Sequence, residues 1–206
     1  MVGIRERKKQ RTRRALIEAA LRLFDEQGYE ETTLAEIATE ADVSTRTFFS
    51  YFASKEDVLF HDTDGRLDGM LALVASRRAD EAPSELLMRM VRANLAWTVD
   101  DQDFRPEDAQ LRMRLIMTVP ALQARALHLL FDSQLRLTRT LHEAYPGRLD
   151  PVEAAAAVGA VVGATKLAAV VSLNRDGSTE RAAEAALEAA EITVRGLASL
   201  DLPTGR

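Results

Sequence analysis

Cysteine is absent from this 206-residue chain, and its absence excludes several kinds of site together. Disulfides, zinc–thiolate sites, iron–sulfur clusters and cysteine nucleophiles all require a cysteine sulfur. Histidine is scarce as well, since the chain has only His61, His128 and His142. The last two would lie about 21 Å apart along one helix, too far for a shared metal ion. No nucleophile stands in an evident pattern with a base, so the sequence predicts no enzyme, no metal and no cofactor.

Proline, aromatic residues and strand-like alternation are also scarce. The chain has 6 Pro and 5% aromatic residues, whereas 47% of its residues are hydrophobic and 29% are charged. This composition is typical of an ordered, helix-rich globular protein. We therefore expect an all-α fold of about nine helices. The length favours a small domain joined to a larger one.

An excess of positive charge is absent from the chain as a whole, whose formal net charge is -5. Residues 5–22 nevertheless hold eight basic residues against Glu6 and Glu18. A basic end on an acidic body is expected where one end of a protein meets phosphates, although a solvated terminus would look the same. An amphipathic pattern follows this stretch instead of the apolar core of a secretory signal, so we expect a cytoplasmic protein.

Helix start signals follow one another closely in the first sixty residues. Thr33 and Glu36 form a capping-box pattern, in which each side chain bonds a free backbone N–H at the helix start. Ser44 is a further N-cap residue, and Ser54 with Asp57 repeats the pattern. Such dense capping is expected where short helices must be aimed accurately. The predicted helices are residues 9–27, 34–40, 45–51 and a fourth from about residue 55.

The second and third of these helices have the pattern of a helix-turn-helix. Apolar residues between Leu34 and Phe52 let the two helices cross against the first one, with a turn at residues 41–43. If the second helix spans the phosphate backbone, the third lies in the major groove of DNA. The side chains then left pointing outward are all of types that can hydrogen-bond to DNA: Thr45, Arg46, Thr47, Ser50 and Tyr51.

The segment TTLAEIATEADVSTRTFFSYFASKEDVL resembles the DNA-binding segment of the TetR (tetracycline-repressor-like) family of bacterial regulators, over about residues 9–60. The likeness rests on T-x-x-x-I-A at Thr33–Ala38, the pair Val43–Ser44 and Y-F-x-S-K-E at Tyr51–Glu56. Two residues depart from the family's common pattern. Asp42 stands where glycine is usual, and Phe49 stands where tyrosine is frequent. Because Asp tolerates a positive φ better than most residues, we expect the turn to form.

The resemblance implies a dimeric regulator, usually a repressor, that binds an inverted-repeat operator and is released by a small-molecule effector. It implies phosphate contacts by Thr33 and Lys55 at helix starts, where free N–H groups favour anions. The third helix would read base edges with Thr45, Arg46 and Thr47 and would contact the backbone with Ser44, Phe49 and Tyr51. The basic arm would lie along phosphates or enter the minor groove, with Arg5, Arg7, Lys8, Lys9 and Arg11.

Residues 1–54 are expected to form the DNA-binding domain and residues 55–206 a helical domain for ligand sensing and dimerisation. In the larger domain, big apolar side chains in the middle helices could line a pocket, although each taken alone fits a core position better. Arginines such as Arg89 and Arg112 lie among them and could hold a carboxylate or phosphate. This pairing favours a fatty acyl effector. The candidate pocket residues are Met70, Met88, Trp97, Met113, Met117 and Phe131.

The longest apolar stretch is PVEAAAAVGAVVGATKLAAVVSL, and it consists mainly of small residues. Asp150 before Pro151, with Glu153 three residues on, predicts a helix cap at its start. Its uninterrupted part, residues 154–165, is too short to span a membrane. Together with the following TERAAEAALEAAEITVRGL it predicts two helices that pack against their copies in a second subunit as a four-helix bundle. Packing inside one chain is the alternative.

One other function fits the same residues: a DNA-binding protein whose C-terminal domain docks a protein partner and senses no small molecule. An open cavity in the large domain would favour the sensor, and a cavity filled by side chains would favour the protein partner. The fourth helix would connect the two domains in either case, with Gly65 and Gly69 as places where it could bend.

Overall fold

The computed structural model describes residues 3–99 and 108–197. In these residues it contains ten α-helices and no β-strand, which confirms the all-α prediction. The helices are α1 (Ile4–Glu26), α2 (Leu34–Glu40), α3 (Thr45–Phe49), α4 (Glu56–Leu59), α5 (Thr63–Ala75), α6 (Pro83–Val99), α7 (Asp108–Thr118), α8 (Pro120–Ala144), α9 (Pro151–Asp176) and α10 (Thr179–Gly196).

Two compact units make up the described chain. The N-terminal unit contains residues 3–62 and 108–126, and the C-terminal unit contains residues 63–99 and 127–197. The N-terminal unit therefore includes α7 and the start of α8 in addition to the helix-turn-helix. Each unit has its own cluster of buried apolar side chains.

The helix predicted to start at residue 55 is divided into α4 and α5, which raises the number of helices from nine to ten. The interruption falls at residues 60–62, whereas α5 continues through Gly65 and Gly69. Gly69 instead permits close packing inside the C-terminal unit, since a Cβ atom at this position would lie 2.5 Å from Cη2 of Trp97. A continuous helix does not test whether the chain bends at Gly65 or Gly69, so that bend stays a prediction.

The first helix begins at Ile4 and not near residue 9. Residues 4–10 are mostly Arg, Lys, Glu and Gln, which are strong helix formers, so intrinsic propensity extends the helix into the basic arm. Arg5, Lys8 and Arg11 are exposed on this extension. The basic residues are thus presented by a helix instead of an extended strand of chain.

Aromatic and aliphatic side chains form the core of the N-terminal unit. Leu16 and Phe24 of α1, Ile37 of α2 and Phe48 of α3 belong to one buried cluster. The rings of Phe48 and Phe52 lie 5.6 Å apart between centroids. Burial of each such side chain contributes about 1.5–3 kcal/mol. This core holds α2 and α3, which are too short to be stable alone.

The C-terminal unit is organised around α9 and α10. Asp150 accepts hydrogen bonds from the backbone N–H groups of Val152 and Glu153, and Glu153 completes the predicted capping box at the start of α9. The buried face of α10 consists of Ala182, Ala186 and Ala190. Small side chains on this face let the two helix backbones approach closely.

A buried acidic residue, Glu81, lies just before α6 and is bonded both to α6 and to the residue that follows α8. Its side chain is 1% exposed, and Arg89 donates to its two carboxylate oxygens at 2.8 and 2.9 Å. The Arg89 hydrogen bonds outweigh the effect of burial and lower the pKa of Glu81. The hydroxyl of Tyr145 donates to the Glu81 carbonyl oxygen at 3.0 Å, and burial raises the pKa of Tyr145 to about 12.

Asp42 is the only non-glycine residue with a positive φ in the described part of the chain, at 53°. This left-handed conformation costs glycine almost nothing. It is unfavourable for alanine, whose Cβ atom lies too close to the following carbonyl oxygen and whose side chain forms no compensating hydrogen bond. We therefore expect Asp42→Gly to be more stable than Asp42→Ala by about 1 kcal/mol. Urea unfolding of the two variants measures the difference.

The matched control for the Asp42 variants is Thr39, an exposed residue of α2. Inside a helix the order should reverse, with Thr39→Ala more stable than Thr39→Gly by roughly 1 kcal/mol. Equal stability of Asp42→Gly and Asp42→Ala would contradict a left-handed turn at this position.

Candidate DNA-binding site

The start of α2 is fixed by the predicted capping box. Thr33 Oγ1 accepts from the Glu36 backbone N–H at 3.2 Å, and Glu36 Oε2 accepts from the Thr33 N–H and hydroxyl, each at 2.8 Å. The backbone hydrogen bond from Thr33 is the main cause of the lowered pKa of Glu36. Thr33 itself is exposed. The cap therefore presents Thr33 and the start of α2 to solvent in a fixed orientation.

Short hydrogen bonds also define α3. Ser44 Oγ accepts from the Thr47 N–H at 3.1 Å and lies 2.9 Å from Thr47 Oγ1. Ser50 Oγ donates to the Thr47 carbonyl oxygen at 2.6 Å. Phe48 anchors the helix in the core, and its neighbour Phe49 is exposed. The helix is thereby turned so that one face is free.

The predicted outward residues lie on or beside that free face. Thr45, Arg46 and Ser50 are exposed, and Thr47 and Tyr51 are half-buried. The structure brings these five together on α3 and the turn that follows it.

Lys55 is bound to the loop between α1 and α2. Its ammonium group donates to the carbonyl oxygens of Tyr29 at 2.8 Å and Thr32 at 3.3 Å, and it lies 4.2 Å from the centroid of the Tyr29 ring. These contacts hold the residue just before Thr33. Lys55, which follows α3 in the chain, thus helps to fix the position of the start of α2.

Tyr29 and Glu56 complete this cluster and were not among the predicted residues. The buried Tyr29 donates its hydroxyl proton to Glu56 Oε1 at 2.5 Å, and burial together with this carboxylate raises the pKa of Tyr29. Burial alone would raise the pKa of Glu56, but hydrogen bonds from Tyr29 and Ser54 outweigh it and lower that pKa. The sequence signal was a tyrosine directly after the helix-ending Gly28.

Positive charge near the motif comes from α1. The segment from Leu34 to Ser54 contains three acidic residues and one basic residue, Arg46. In contrast, the basic residues of the α1 extension, including Arg5 and Lys8, are exposed. The last arginine of α1, Arg22, pairs with Glu40 of α2. Within residues 3–54, the exposed positive charge is therefore concentrated on α1.

The six candidate pocket residues are divided between the two units. Met70 and Met88 belong to the core of the C-terminal unit, and Trp97 packs against that core. Phe131 of the same unit is 68% exposed. Met113 and Met117 lie on α7 in the N-terminal unit, where Met117 is exposed.

An open groove of about 330 Å³ lies between α9 and α10. Ala168, Val171, Ala189 and Ile192 are among its lining residues, and it includes none of the six candidates. Leu167, Val171 and Ile192 on these helices are 68%, 65% and 56% exposed. Two adjacent helices of this unit therefore share an exposed apolar surface.

The helix α9 also has the length and composition of a membrane-spanning helix. Its most apolar window has a mean hydropathy of 1.9, and 22% of that window is buried. Length and composition alone do not separate such a helix from one that is covered by protein. Across residues 3–99 and 108–197, no group of three or more His, Asp or Glu side chains is placed to hold a metal ion.

Comparison with protein families identifies the helix-turn-helix. Residues 16–61 match the model described as bacterial regulatory proteins, tetR family. The HTH-type transcriptional regulator TcmR of Streptomyces glaucescens is 39% identical over 142 residues, which cover 68% of this chain and 62% of TcmR. The chain thus spans about three fifths of the length of this curated relative. TcmR is named a transcriptional regulator, and the prediction that this chain is a regulator instead of an enzyme is confirmed by this likeness.

Solved structures extend the likeness to the whole fold. A TetR-family regulator from Syntrophomonas wolfei has a TM-score of 0.64 at 18% identity, covering 92% of this chain and 97% of its own. FadR of Thermus thermophilus, a TetR-family transcriptional repressor solved with lauroyl-CoA, has a TM-score of 0.53 at 24% identity, covering 92% and 95%. At these identities the likeness shows the fold alone.

Proposed function

This chain belongs to the TetR family of bacterial regulatory proteins, and on that premise we propose that it is a dimeric, cytoplasmic repressor of transcription. It binds an inverted-repeat operator and leaves it when a small apolar effector binds. The observation that carries this proposal is the doubly capped α2–α3 pair, which is held on a buried core and presents polar side chains outward.

In the proposed complex α3 lies in the major groove and α2 spans the backbone. Thr45, Arg46, Thr47 and Ser50 face base edges. Phosphates are contacted by Thr33, Ser44 and Tyr51 and by the arm with Arg5 and Lys8. The hydrogen bonds of Lys55 to the α1–α2 loop support a positioning role for it beside the proposed phosphate contact. The proposed domain division at residues 54 and 55 separates this function from sensing.

The proposed dimer forms through α9 and α10. An apolar surface that is exposed in one subunit is expected to be covered, either by lipid or by protein. The adjoining groove and the many small residues of α9 suit close packing against two helices of a second copy. A two-fold axis would then place the two α3 helices roughly 34–36 Å apart, one turn of DNA. The same covering accounts for the hydropathy of α9 without a membrane.

The proposed effector is an apolar, acyl-like molecule bound by the C-terminal unit. Its support is the adaptable methionine side chains in the core of that unit, Met70 and Met88, next to Trp97. Lauroyl-CoA, the ligand named for the FadR structure, is a suitable probe. Thermal unfolding across a series of acyl-CoA chain lengths tests the proposal, and no stabilisation at any length would remove it.

The second candidate function is a DNA-binding protein that docks a protein partner. Leu127, Phe131 and Leu135 lie at four-residue intervals on α8 and are all exposed. An exposed apolar stripe of this kind is typical of a docking surface. This candidate gains weight if the acyl-CoA series gives no stabilisation while operator binding is intact.

The decisive experiment is selection of bound sequences from random duplex DNA, followed by a salt titration on the best site. We expect an inverted repeat bound with a steep negative dependence of log K on log salt, because counterions are released from phosphates. A folded dimer that enriches no sequence would overturn the proposed function.

The basic arm gives a quantitative prediction within that titration. Each phosphate contact contributes about 0.9 to the slope, so removing Arg5 and Lys8 from both subunits should reduce its magnitude by about 3.6. The double variant Arg5→Ala/Lys8→Ala should weaken binding to all sequences alike. Fluorescence anisotropy at several salt concentrations measures both effects.

The control double variant is Arg92→Ala/Arg139→Ala, which removes two exposed arginines of the C-terminal unit outside α9 and α10. Its salt slope should equal that of the wild type. An unchanged slope in the Arg5→Ala/Lys8→Ala variant would show that the arm does not contact phosphates.

A further inference from the structure

The polar side chains of α3 and its two caps differ in whether they already form hydrogen bonds within the helix. Ser44 and Thr47 are hydrogen-bonded to each other, and Ser50 has given its only hydroxyl proton to the Thr47 carbonyl. These three hydroxyls stabilise the two ends of a five-residue helix. Reading a base would require them to share or to give up those bonds.

Arg46 is in the opposite situation. It is exposed, and within residues 3–99 and 108–197 it makes no hydrogen bond or ion pair. Two of the three acidic residues between Leu34 and Ser54 have other partners: Glu36 bonds with Thr33, and Glu40 pairs with Arg22. The Arg46 guanidinium is therefore available to a ligand at no cost in lost contacts.

Arg46 is also chemically distinct from its neighbours. It is the one basic residue between Leu34 and Ser54. A guanidinium presents two parallel N–H groups that match O6 and N7 of guanine in the major groove. A threonine hydroxyl such as that of Thr45 can either donate or accept a hydrogen bond, so it discriminates poorly between bases. Electrostatic attraction does not depend on this residue, because the α1 extension holds several exposed cations.

We propose that Arg46 is the specificity-determining residue of α3 and that it reads one guanine at a fixed position in each half-site of the operator. This inference rests on the proposed function. The two-fold axis of the dimer places the two guanines symmetrically, on opposite strands. In this arrangement α1 supplies the affinity for DNA of any sequence, and Arg46 supplies most of the preference for the operator sequence.

The first test compares sequences selected by the wild type and by Arg46→Ala. The wild type should enrich guanine at one position per half-site, and the variant should lose the preference at that position only. Replacing the guanine in a fixed operator should weaken the wild type by about 5- to 150-fold and leave the affinity of the variant unchanged.

The second test changes a single atom of the DNA. An operator with 7-deazaguanine at the selected position lacks the N7 acceptor and should bind the wild type more weakly, while Arg46→Ala should bind it and the normal operator equally. Arg139→Ala, which removes an exposed arginine of the C-terminal unit, should behave as the wild type on both operators. Equal thermal unfolding of the three proteins establishes that Arg46→Ala is folded.

The outcomes separate the two levels of the hypothesis. If Arg46→Ala weakens binding to every sequence by the same factor and keeps the guanine preference, Arg46 contacts a phosphate and the inference is overturned. If the wild type enriches no sequence at all, the proposed function fails and this inference fails with it. A preference lost at one position, with sensitivity to N7, supports both.

Discussion

Ile192→Glu is expected to make the protein monomeric and to weaken its binding to the operator by about 30- to 3000-fold. The Ile192 side chain is exposed on α10. It lines the groove between α9 and α10, together with the exposed Val171 of α9. In the proposed dimer it is buried against a second copy, where an unpaired carboxylate is strongly unfavourable. A specific site is typically preferred over other DNA by roughly 1,000- to 10,000,000-fold. A monomer contacts one half-site and therefore keeps about half of the corresponding free energy, which gives the expected loss in affinity.

The measurements for this variant are sedimentation velocity for the oligomeric state and fluorescence anisotropy for the operator. Leu127→Glu introduces the same charge at an equally exposed apolar side chain of α8 and should remain a dimer with unchanged affinity. A dimeric Ile192→Glu protein that binds the operator normally would exclude α9 and α10 as the interface.

Local interactions explain which parts of the fold were predictable. The capping boxes of Thr33 with Glu36 and of Asp150 with Glu153 use partners three residues apart. Contacts over so short a distance along the chain can be recognised from short sequence motifs. The start of α2 close to Leu34 and the cap of α9 could therefore be predicted from the sequence.

Contacts between distant residues explain what was missed. Lys55 binds carbonyl groups more than twenty positions earlier in the chain, and Tyr29 reaches Glu56 over a similar distance. Nothing in the spacing of these residues signals that they meet. The resemblance to a known family pointed to Lys55 as a contact for DNA, but its positioning role emerges only from the tertiary structure.

Burial shows the same limit for the candidate pocket. Met70 and Phe131 are both large apolar residues on amphipathic helices, yet Met70 belongs to the core and Phe131 is exposed. Helical periodicity identifies an apolar face but not what covers it. Placing these side chains requires the packing of several helices, which a single sequence does not reveal.

Arg89→Met is expected to destabilise the C-terminal unit by about 3–5 kcal/mol at neutral pH. The substitution keeps an apolar stem of similar length but removes both charge-assisted hydrogen bonds to Glu81. Among the hydrogen bonds of residues 3–99 and 108–197, the buried carboxylate then keeps the weaker one from the Arg78 backbone N–H. Because breaking such a pair leaves an uncompensated buried charge, the loss should exceed the value of the pair itself. Urea unfolding monitored by circular dichroism measures it.

The pH dependence of the Arg89→Met effect follows from the pKa of Glu81. In the wild type that pKa is lowered by Arg89, so ionised Glu81 contributes stability above its unfolded pKa, and this contribution is lost as the pH falls through the lowered folded pKa. In Arg89→Met, burial without the guanidinium should raise the pKa of Glu81 above its ordinary value. The variant then gains stability as the pH falls from its raised folded pKa toward the unfolded one, so the gap to the wild type should be widest at neutral pH and narrow in acid.

Two further variants separate a buried charge from a simple loss of packing. Arg92→Met changes an exposed arginine on the same helix and should cost little at any pH. Glu81→Gln placed in the Arg89→Met protein should recover part of the lost stability and abolish its pH dependence, because a neutral amide is far less costly to bury than a carboxylate. A deficit of Arg89→Met that is independent of pH, or that Glu81→Gln does not reduce, would show that Arg89 acts by packing and not by neutralising Glu81.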